Sequence, residues 1–186
     1  LDIGYGFNLV EEKVSNFFEN FKKNLLFEKI GFYHRSPGIV CENGWHTKII
    51  NVKKNCKTMW LSTQACVYRT KFLNNILFNE KLGKYSYLED LFFSYQVSKN
   101  GGLSICHNST YRHPINIERT NFNFGVKEVI NRYNFVKVNK LNKVKFYITV
   151  LIKLFFNIAN ILRLNFKILP KLFGNIIGIF LCLIKY

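Results

Sequence analysis

Two adjacent carboxylates, Glu89 and Asp90, are the residues whose type and setting best suit catalysis. The chain has 11 acidic residues against 27 Lys and Arg, and its only aspartates are Asp2 and Asp90. A carboxylate held in a partly apolar cleft by aromatic neighbours can take a proton from a substrate hydroxyl, so one of the pair is a candidate general base. The alternative is structural, because an acid in the first turn of a helix is stabilised by the helix dipole.

The elements around this pair are predicted to place it at a helix entrance. Apolar residues recur on one side of a helix over 88–99, and Gly101-Gly102 is a typical helix end. The following segment, LSICHNSTYRHP (103–114), has the pattern of a strand. Because neighbouring helical positions point about 100° apart, only one of the two carboxylates can face a substrate. The other would orient the substrate or bind it.

The segments before this pair indicate interleaved helices and strands. Apolar spacing predicts an amphipathic helix over 7–26 and a short strand at KIGFYH (29–34). Pro-Gly and Asn-Gly signals in RSPGIVCENGW (35–45) predict a hairpin turn. A buried strand is expected over 57–69, then a short helix and a loop over 70–87. This alternation favours an α/β layered domain over a helical bundle.

Three segments match a known sequence pattern. WLSTQACVYRTKFL (60–73) is followed by FNEKLGKYSYLEDLFFSYQVSKNGGLSICHNSTYRHP (78–114). Together they resemble the second half of the catalytic domain of family 2 glycosyltransferases, the inverting GT-A type. NRYNFVKVNK (131–140) resembles the helix after that domain in rhamnosyltransferase-like members. The resemblance covers about residues 1–145, and its matching residues are Trp60, Leu61, Ser62, Arg69, Phe78, Asn79, Glu80, Leu82, Glu89, Asp90, Gly101, His113, Arg132 and Tyr133.

The resemblance implies a role for the two carboxylates. Asp90 would be the base that deprotonates an acceptor hydroxyl, which then attacks the anomeric carbon of a nucleotide-activated sugar with inversion. Glu89 would help to hold the acceptor. The donor would be a nucleotide sugar, and the acceptor a glycan or a lipid-linked molecule of surface-polysaccharide synthesis.

The resemblance also implies further site residues. Trp60, Ser62 and Arg69 would lie on the acceptor side, with Trp60 stacking on a sugar ring. A core aromatic is the alternative reading of Trp60. His113 would supply a metal or diphosphate contact, although a lone histidine before proline also occurs as an ordinary strand-end residue.

The chain departs from the family pattern in several places. Thr63 replaces a glycine and Asn79 an aspartate, which changes the expected acceptor pocket, and Gln96 stands near the position of the family's arginine. The D-x-D motif that holds a divalent metal, Mg or Mn, in the complete enzyme does not occur, although Asp2 could be a remnant of it. We therefore expect a C-terminal portion, starting inside a longer reading frame or degenerate, that is inactive alone and has no certain cofactor.

These observations predict the fold class and domain organisation. The fold class is α/β, a partial GT-A (Rossmann-like) domain with C-terminal amphipathic helices. Residues 1–120 would form the C-terminal part of the catalytic domain and 121–145 the helix that follows it. Residues 146–186 would form a membrane-associating helical tail.

The tail combines a cationic stripe with a wide apolar face. Its polar residues recur every three or four positions and are Lys145, Thr149, Lys153, Asn157, Asn160, Arg163, Lys167 and Lys171. This pattern predicts a helix in the lipid interface whose lysines reach the headgroups. No uncharged stretch reaches the roughly 18 residues of a spanning helix, and Pro170 should divide the tail in two. A core helix covered by a missing partner is the alternative.

The charge and the cysteines restrict the class of partner. A net charge of +16 predicts attraction to an anion. The basic residues are scattered without a reader motif, so we expect anionic membrane lipid and no nucleic acid. The expected location is the cytoplasmic face of the cell membrane, with peripheral or monotopic attachment. Five cysteines without a C-x-x-C spacing indicate neither a disulfide framework nor a zinc site.

Overall fold

A computed structural model of the chain describes residues 1–10, 25–73, 76–82, 87–112 and 119–185. Over these residues the fold is mixed α/β, with a four-stranded sheet and helices, which confirms the predicted class at that level. The chain divides into two compact units. The first unit is Leu1–Cys41 with His46–Pro114, and the second is Glu42–Trp45 with Ile115–Tyr186.

The sheet of the first unit contains strands β1 (Asp2–Leu9), β2 (Cys56–Thr58), β3 (Cys66–Tyr68) and β4 (Gly102–Tyr111). Their order across the sheet is β2-β4-β1-β3. The central pair, β1 and β4, is parallel, and both outer strands pair antiparallel. A parallel central pair requires a crossover connection between its strands, and helices typically supply one. The predicted strand over 103–114 is therefore confirmed as β4, at the centre of the sheet.

Among the described residues of the first unit, two α-helices lie between the strands in sequence, α1 (Leu25–Lys29) and α2 (Glu89–Val97). Helix α2 confirms the helix predicted over 88–99. It buries Leu91, Phe92, Phe93, Ser94 and Val97. The sheet contributes Ile3, Leu103 and Ile105 to the buried residues of this unit.

Several predictions for the first unit are wrong. Residues 7–9 belong to β1 and not to a helix, whereas 11–24 lie outside the described residues. KIGFYH contains the end of α1 and a turn, without a strand. The strand expected over 57–69 is two short strands, Cys56–Thr58 and Cys66–Tyr68. At the break, the Thr58 hydroxyl lies 2.8 Å from the carbonyl oxygens of both Gly38 and Trp60 and can donate to either one. Where a short helix and a loop were expected over 70–87, the described residues contain 3₁₀ helices at Thr70–Phe72 and Glu80–Leu82, and 74–75 and 83–86 lie outside the described residues.

The hairpin turn expected in RSPGIVCENGW is present in a minimal form. Val40 and His46 form an isolated antiparallel bridge, and Thr47 N–H donates to the Ile39 carbonyl at 2.9 Å. Gly38 and Gly44 have positive φ, which explains the glycines of the Pro-Gly and Asn-Gly pairs.

The second unit contains helices α3 (Phe122–Val138), α4 (Lys143–Leu162) and α5 (Leu169–Lys185). Asparagine side chains cap the first two: Asn121 accepts from Phe124 N–H, and Asn142 accepts from Lys145 N–H. The tail is two helices, as predicted, but the break lies at 163–168. Pro170 lies instead in the first turn of α5, where its missing N–H costs no hydrogen bond.

Helices α3 and α5 approach each other closely through glycines. A Cβ on Gly174 would lie 2.2 Å from the Phe122 carbonyl oxygen and 3.0 Å from the Gly125 Cα. A Cβ on Gly125 would lie 2.4 Å from the Lys171 carbonyl oxygen. Only glycine at both positions allows the two backbones to come this near.

Candidate functional site

The entrance of α2 has an unusual backbone conformation. Leu88, which precedes Glu89 and Asp90, has φ 76° and ψ 12°, in the left-handed region, and its side chain is 5% exposed. A bulky residue in this region costs on the order of 1–3 kcal/mol, and such conformations are concentrated at functional sites. The apolar Leu88 side chain makes no capping hydrogen bond to the helix. The strained residue comes directly before the two carboxylates.

Asp90 is half-buried in the first turn of α2. One carboxylate oxygen, Oδ1, accepts a hydrogen bond from the Leu91 N–H at 2.8 Å. The Ser94 hydroxyl, one turn later, donates to the Asp90 carbonyl oxygen. Glu89 is half-buried as well. The acidic pair is therefore at a helix N-terminus, as predicted.

The Asp90 carboxylate lies near two side chains of strand β3, Cys66 and Tyr68. Burial raises the pKa of the Cys66 thiol, and the charge of Asp90 raises it further. Burial, the neighbouring Cys66 and the charge of Asp90 also raise the pKa of Tyr68. Within the described residues, the buried Tyr68 hydroxyl has no hydrogen bond of normal geometry. Its ring packs edge-on against Phe93 of α2, with ring centroids 5.4 Å apart.

Replacing Asp90 by asparagine should increase the alkylation rate of Cys66 near pH 9, because removing the negative charge lowers the pKa of the thiol and raises its thiolate fraction. We expect a roughly twofold or larger increase, measured by iodoacetamide labelling and peptide mapping. Cys56 is the matched control: burial raises the pKa of its thiol, and Asp90 is not among the causes. Equal rates at Cys66 in the two proteins would contradict the proximity of Asp90 to β3.

The three residues expected on the acceptor side are all in the first unit. Trp60 is 8% exposed, and its indole N–H donates to the Thr47 carbonyl at 3.1 Å. Its ring packs edge-on against His46, with ring centroids 4.4 Å apart. Ser62 is half-buried, and Arg69, the residue after β3, is exposed. The burial of Trp60 is that of a core aromatic, and stacking on a sugar stays a prediction.

The residues considered for metal binding are only partly within the structure. His113 lies outside the described residues. Among residues that are described, no three His, Cys, Asp or Glu side chains form a group that could hold a metal ion. Asp2 is paired with Lys57 and accepts a hydrogen bond from the Ser104 hydroxyl at 2.8 Å. These hydrogen bonds outweigh desolvation and lower the pKa of Asp2.

A second cluster of charged groups lies in the second unit. Glu128 of α3 is 6% exposed, and its carboxylate pairs with Lys153 of α4 at 2.6 Å and with Lys171 of α5 at 3.1 Å. Burial alone would raise the pKa of Glu128, but the two lysines outweigh burial and lower the pKa to about 2. The Asn175 amide also donates to Glu128, at 3.3 Å. We call Glu128, Lys153 and Lys171 the ion triad.

The space beside the ion triad is too small for a substrate. A cavity of about 10 Å³ is lined by Trp45, Glu128, Val129, Val150, Lys153 and Asn175. This volume accommodates about one water molecule. The triad is therefore a structural feature that connects three helices and not a substrate pocket.

Three lysines of the tail pair with acids of their own unit. Lys145 pairs with Glu42 at 2.5 Å, whereas Lys153 and Lys171 pair with Glu128. Contact of the tail with lipid headgroups stays a prediction. The polar stripe is recognisable in the sequence, but its acidic partner was missed. The available signal was that Glu128 is the last acidic residue of the chain.

The opposite sides of α4 and α5 are apolar and exposed. The exposed large apolar residues of α4 are Val144, Ile148, Leu151, Phe155, Ile158 and Leu162, and those of α5 are Leu169, Phe173, Ile177, Phe180, Leu183 and Ile184. We call these two sets the outer stripes. The spans Lys143–Leu162 and Phe166–Ile184 are long and apolar enough to cross a membrane, by length and composition only. Only 11% of the most apolar window of the first span and 28% of that of the second span is buried. A core helix of a soluble protein is mostly buried.

Comparison with protein-family models, with curated proteins and with solved structures gave no match.

Proposed function

We propose that this chain is the acceptor-side portion of an inverting glycosyltransferase that acts at the cytoplasmic face of a membrane. The observation that supports the proposal is the acidic pair in the first turn of α2, after the left-handed Leu88 and beside Cys66 and Tyr68 of the sheet edge. Left-handed, buried, non-glycine residues are uncommon and are concentrated at functional sites. The order of strand, acidic helix and strand also agrees with the family resemblance.

In the proposed reaction Asp90 acts as the general base. Its carboxylate takes the proton of an acceptor hydroxyl as that oxygen forms a bond to the anomeric carbon of the donor sugar. The bond from that carbon to the nucleoside diphosphate breaks on the opposite face, which inverts the configuration. Glu89 would hold the acceptor. The described residues form no group of His, Cys, Asp or Glu side chains that could hold the divalent metal implied by the family resemblance.

Replacing Asp90 by asparagine should lower sugar transfer roughly 100-fold or more, because asparagine cannot accept the hydroxyl proton. The complete reading frame that encodes this chain is expressed in cells, and membranes prepared from those cells are incubated with radiolabelled nucleotide sugars. Label is expected in the lipid-linked fraction. Binding of the nucleotide sugar should be almost unchanged, since the donor is held elsewhere.

Glu28→Gln is the control for this experiment. It removes a carboxylate of the same unit that pairs with Arg35 at the surface, and its turnover should equal that of the unmodified protein. Full turnover in Asp90→Asn would refute the base assignment. If no nucleotide sugar gives labelled product, the transferase proposal itself fails.

A second candidate is a non-catalytic protein that binds membranes through α4 and α5. The outer stripes favour it, since twelve large apolar side chains are exposed on these two helices. Soluble monomers rarely expose contiguous apolar surface of this kind. Sedimentation with lipid vesicles tests this candidate, and a chain that stays in solution with every vesicle would contradict it. The two candidates are compatible, because the helices could hold a catalytic unit at its lipid-linked substrate.

A further inference from the structure

The second unit has an apolar core of Val129, Tyr133, Val136, Phe146, Val150 and Cys182, but beside this core it also buries charged and amide groups. The ion triad and a set of amides face inward, where the Asn175 side chain donates to the Gly125 carbonyl at 2.9 Å. Asn157 of α4 in turn donates to Asn175 of α5 at 3.2 Å. The outward residues of both helices are apolar. Inward polar groups and outward apolar groups are the arrangement that a hydrocarbon solvent selects.

Charged residues are placed at the ends of the outer stripes. Lys143 stands at the start of α4 and Arg163 immediately after its end, while Lys167 precedes α5. All three are exposed. Long basic side chains at helix ends extend to the phosphate layer while the apolar stripe contacts acyl chains. The outer stripes therefore carry no charged residue between their ends, and the cations at the ends can reach lipid headgroups. This distribution of charge matches a bilayer.

The ion triad indicates how deeply the helices enter. Lys153 lies at the middle of α4, so a spanning α4 would carry the triad to the centre of the bilayer, where charged groups are most costly. With α4 and α5 parallel to the membrane plane, the outer stripes enter the hydrocarbon. The triad then lies on the opposite side, towards α3.

We propose that the outer stripes of α4 and α5 are embedded in the hydrocarbon of a single leaflet, so that the partner is the acyl-chain layer and not an anionic headgroup. This inference rests on the membrane association proposed above and specifies its chemistry. Three lysines of the former cationic stripe pair with Glu42 and Glu128 of the same unit, so these three are directed away from headgroups. Binding should accordingly depend little on lipid charge and on salt.

The experiment compares vesicles of neutral phosphatidylcholine with vesicles that contain phosphatidylglycerol. In a flotation assay, the full chain should rise with both kinds of vesicle. Neither about 1 M salt nor alkaline carbonate should release it from them, whereas detergent should. A variant with Leu151→Gln and Phe155→Gln, both exposed residues, should bind roughly 100-fold more weakly, since two large apolar side chains leave the hydrocarbon. The matched control, Lys143→Gln with Lys167→Gln, removes two exposed charges and should bind neutral vesicles as before.

A second measurement does not depend on the folding of the glutamine variant. Phe155→Trp keeps an apolar aromatic at an exposed position, and lipids brominated in their acyl chains should quench its emission above the background of Trp45 and Trp60. Two results would overturn the inference while membrane association stands: binding to anionic vesicles alone with release by salt, or no added quenching. A chain that binds no vesicle and sediments as a dimer would overturn both the embedding in a leaflet and the membrane association. The outer stripes would then be the contact surface with a second copy of the chain.

Discussion

Replacing Glu128 by glutamine should lower the free energy of unfolding by about 3 kcal/mol, measured by urea denaturation followed through the helical circular dichroism signal. Removing the acid of a buried ion pair leaves its cations without compensation, which costs about 3–5 kcal/mol. The lower end applies because the Lys153 and Lys171 side chains are 23% and 18% exposed and keep some hydration. One substitution thereby affects all three helices of the second unit.

Glu42→Gln is the matched control for Glu128. Glu42 also pairs with a tail lysine, Lys145, but the Glu42 side chain is 63% exposed. Solvent-exposed pairs contribute about 0–1 kcal/mol, so this variant should lose much less stability. Equal losses for the two variants would show that burial of Glu128 does not determine the strength of its pair.

The pH dependence gives a second readout of the same prediction. The pKa of Glu128 falls from an ordinary value of 4.5 to about 2 in the folded protein, so the unfolded state binds a proton first as the pH falls. The stabilisation is therefore fully present above about pH 4.5 and is lost as the pH falls towards 2. Glu128→Gln has no such carboxyl. Its stability should consequently decline less over this range than that of the unmodified protein.

The sequence pattern predicted the elements whose signals are local. Helix α2 ends at Val97, four residues before the glycine pair, β4 begins at the second of these glycines, and the tail helices show a sustained period. Each of these signals lies within the element that it specifies. They therefore required no knowledge of distant residues.

The wrong predictions depend on distant partners. An apolar run over 57–69 cannot reveal that the Thr58 hydroxyl can donate to Gly38, 20 residues earlier, and that the strand ends there. The apolar period over 7–26 also fits a strand over its first residues, and only pairing with β4 decides between the two. Periodicity gives the polar stripe of the tail but not its direction, which Glu128 determines from another helix.

The candidate site shows the same division. Adjacent carboxylates at a helix start can be read from composition and spacing. Their approach to Cys66 and Tyr68 requires the edge strand β3 to lie beside α2, and the left-handed Leu88 has no counterpart in the sequence. The chemistry of Asp90 is thus suggested by the sequence, whereas its surroundings come from the fold.

Replacing Gly174 by leucine should destabilise the second unit by about 3 kcal/mol or more, at the upper end of the usual cost of overpacking. The groups that a Cβ would meet, the Phe122 carbonyl oxygen at 2.2 Å and the Gly125 Cα at 3.0 Å, are backbone atoms. They cannot rotate away as a side chain would. Helices α3 and α5 must therefore separate, which also disturbs the contact between Lys171 and Glu128.

For Gly174→Ala, the two explanations predict opposite signs for the change in the free energy of unfolding, measured by urea denaturation. Helix propensity alone favours alanine over glycine by about 1 kcal/mol, so a variant without a packing conflict should be more stable. The close approach of α3 predicts the opposite, a loss of stability. Ile177 lies about one turn after Gly174 on α5 but is exposed. Ile177→Ala should therefore change the free energy of unfolding in water only slightly. A Gly174→Ala variant that is more stable than the unmodified protein would contradict this prediction. It would mean that the Gly125 Cα lies farther than 3.0 Å from the added Cβ, and that packing at Gly174 does not hold α5 on α3.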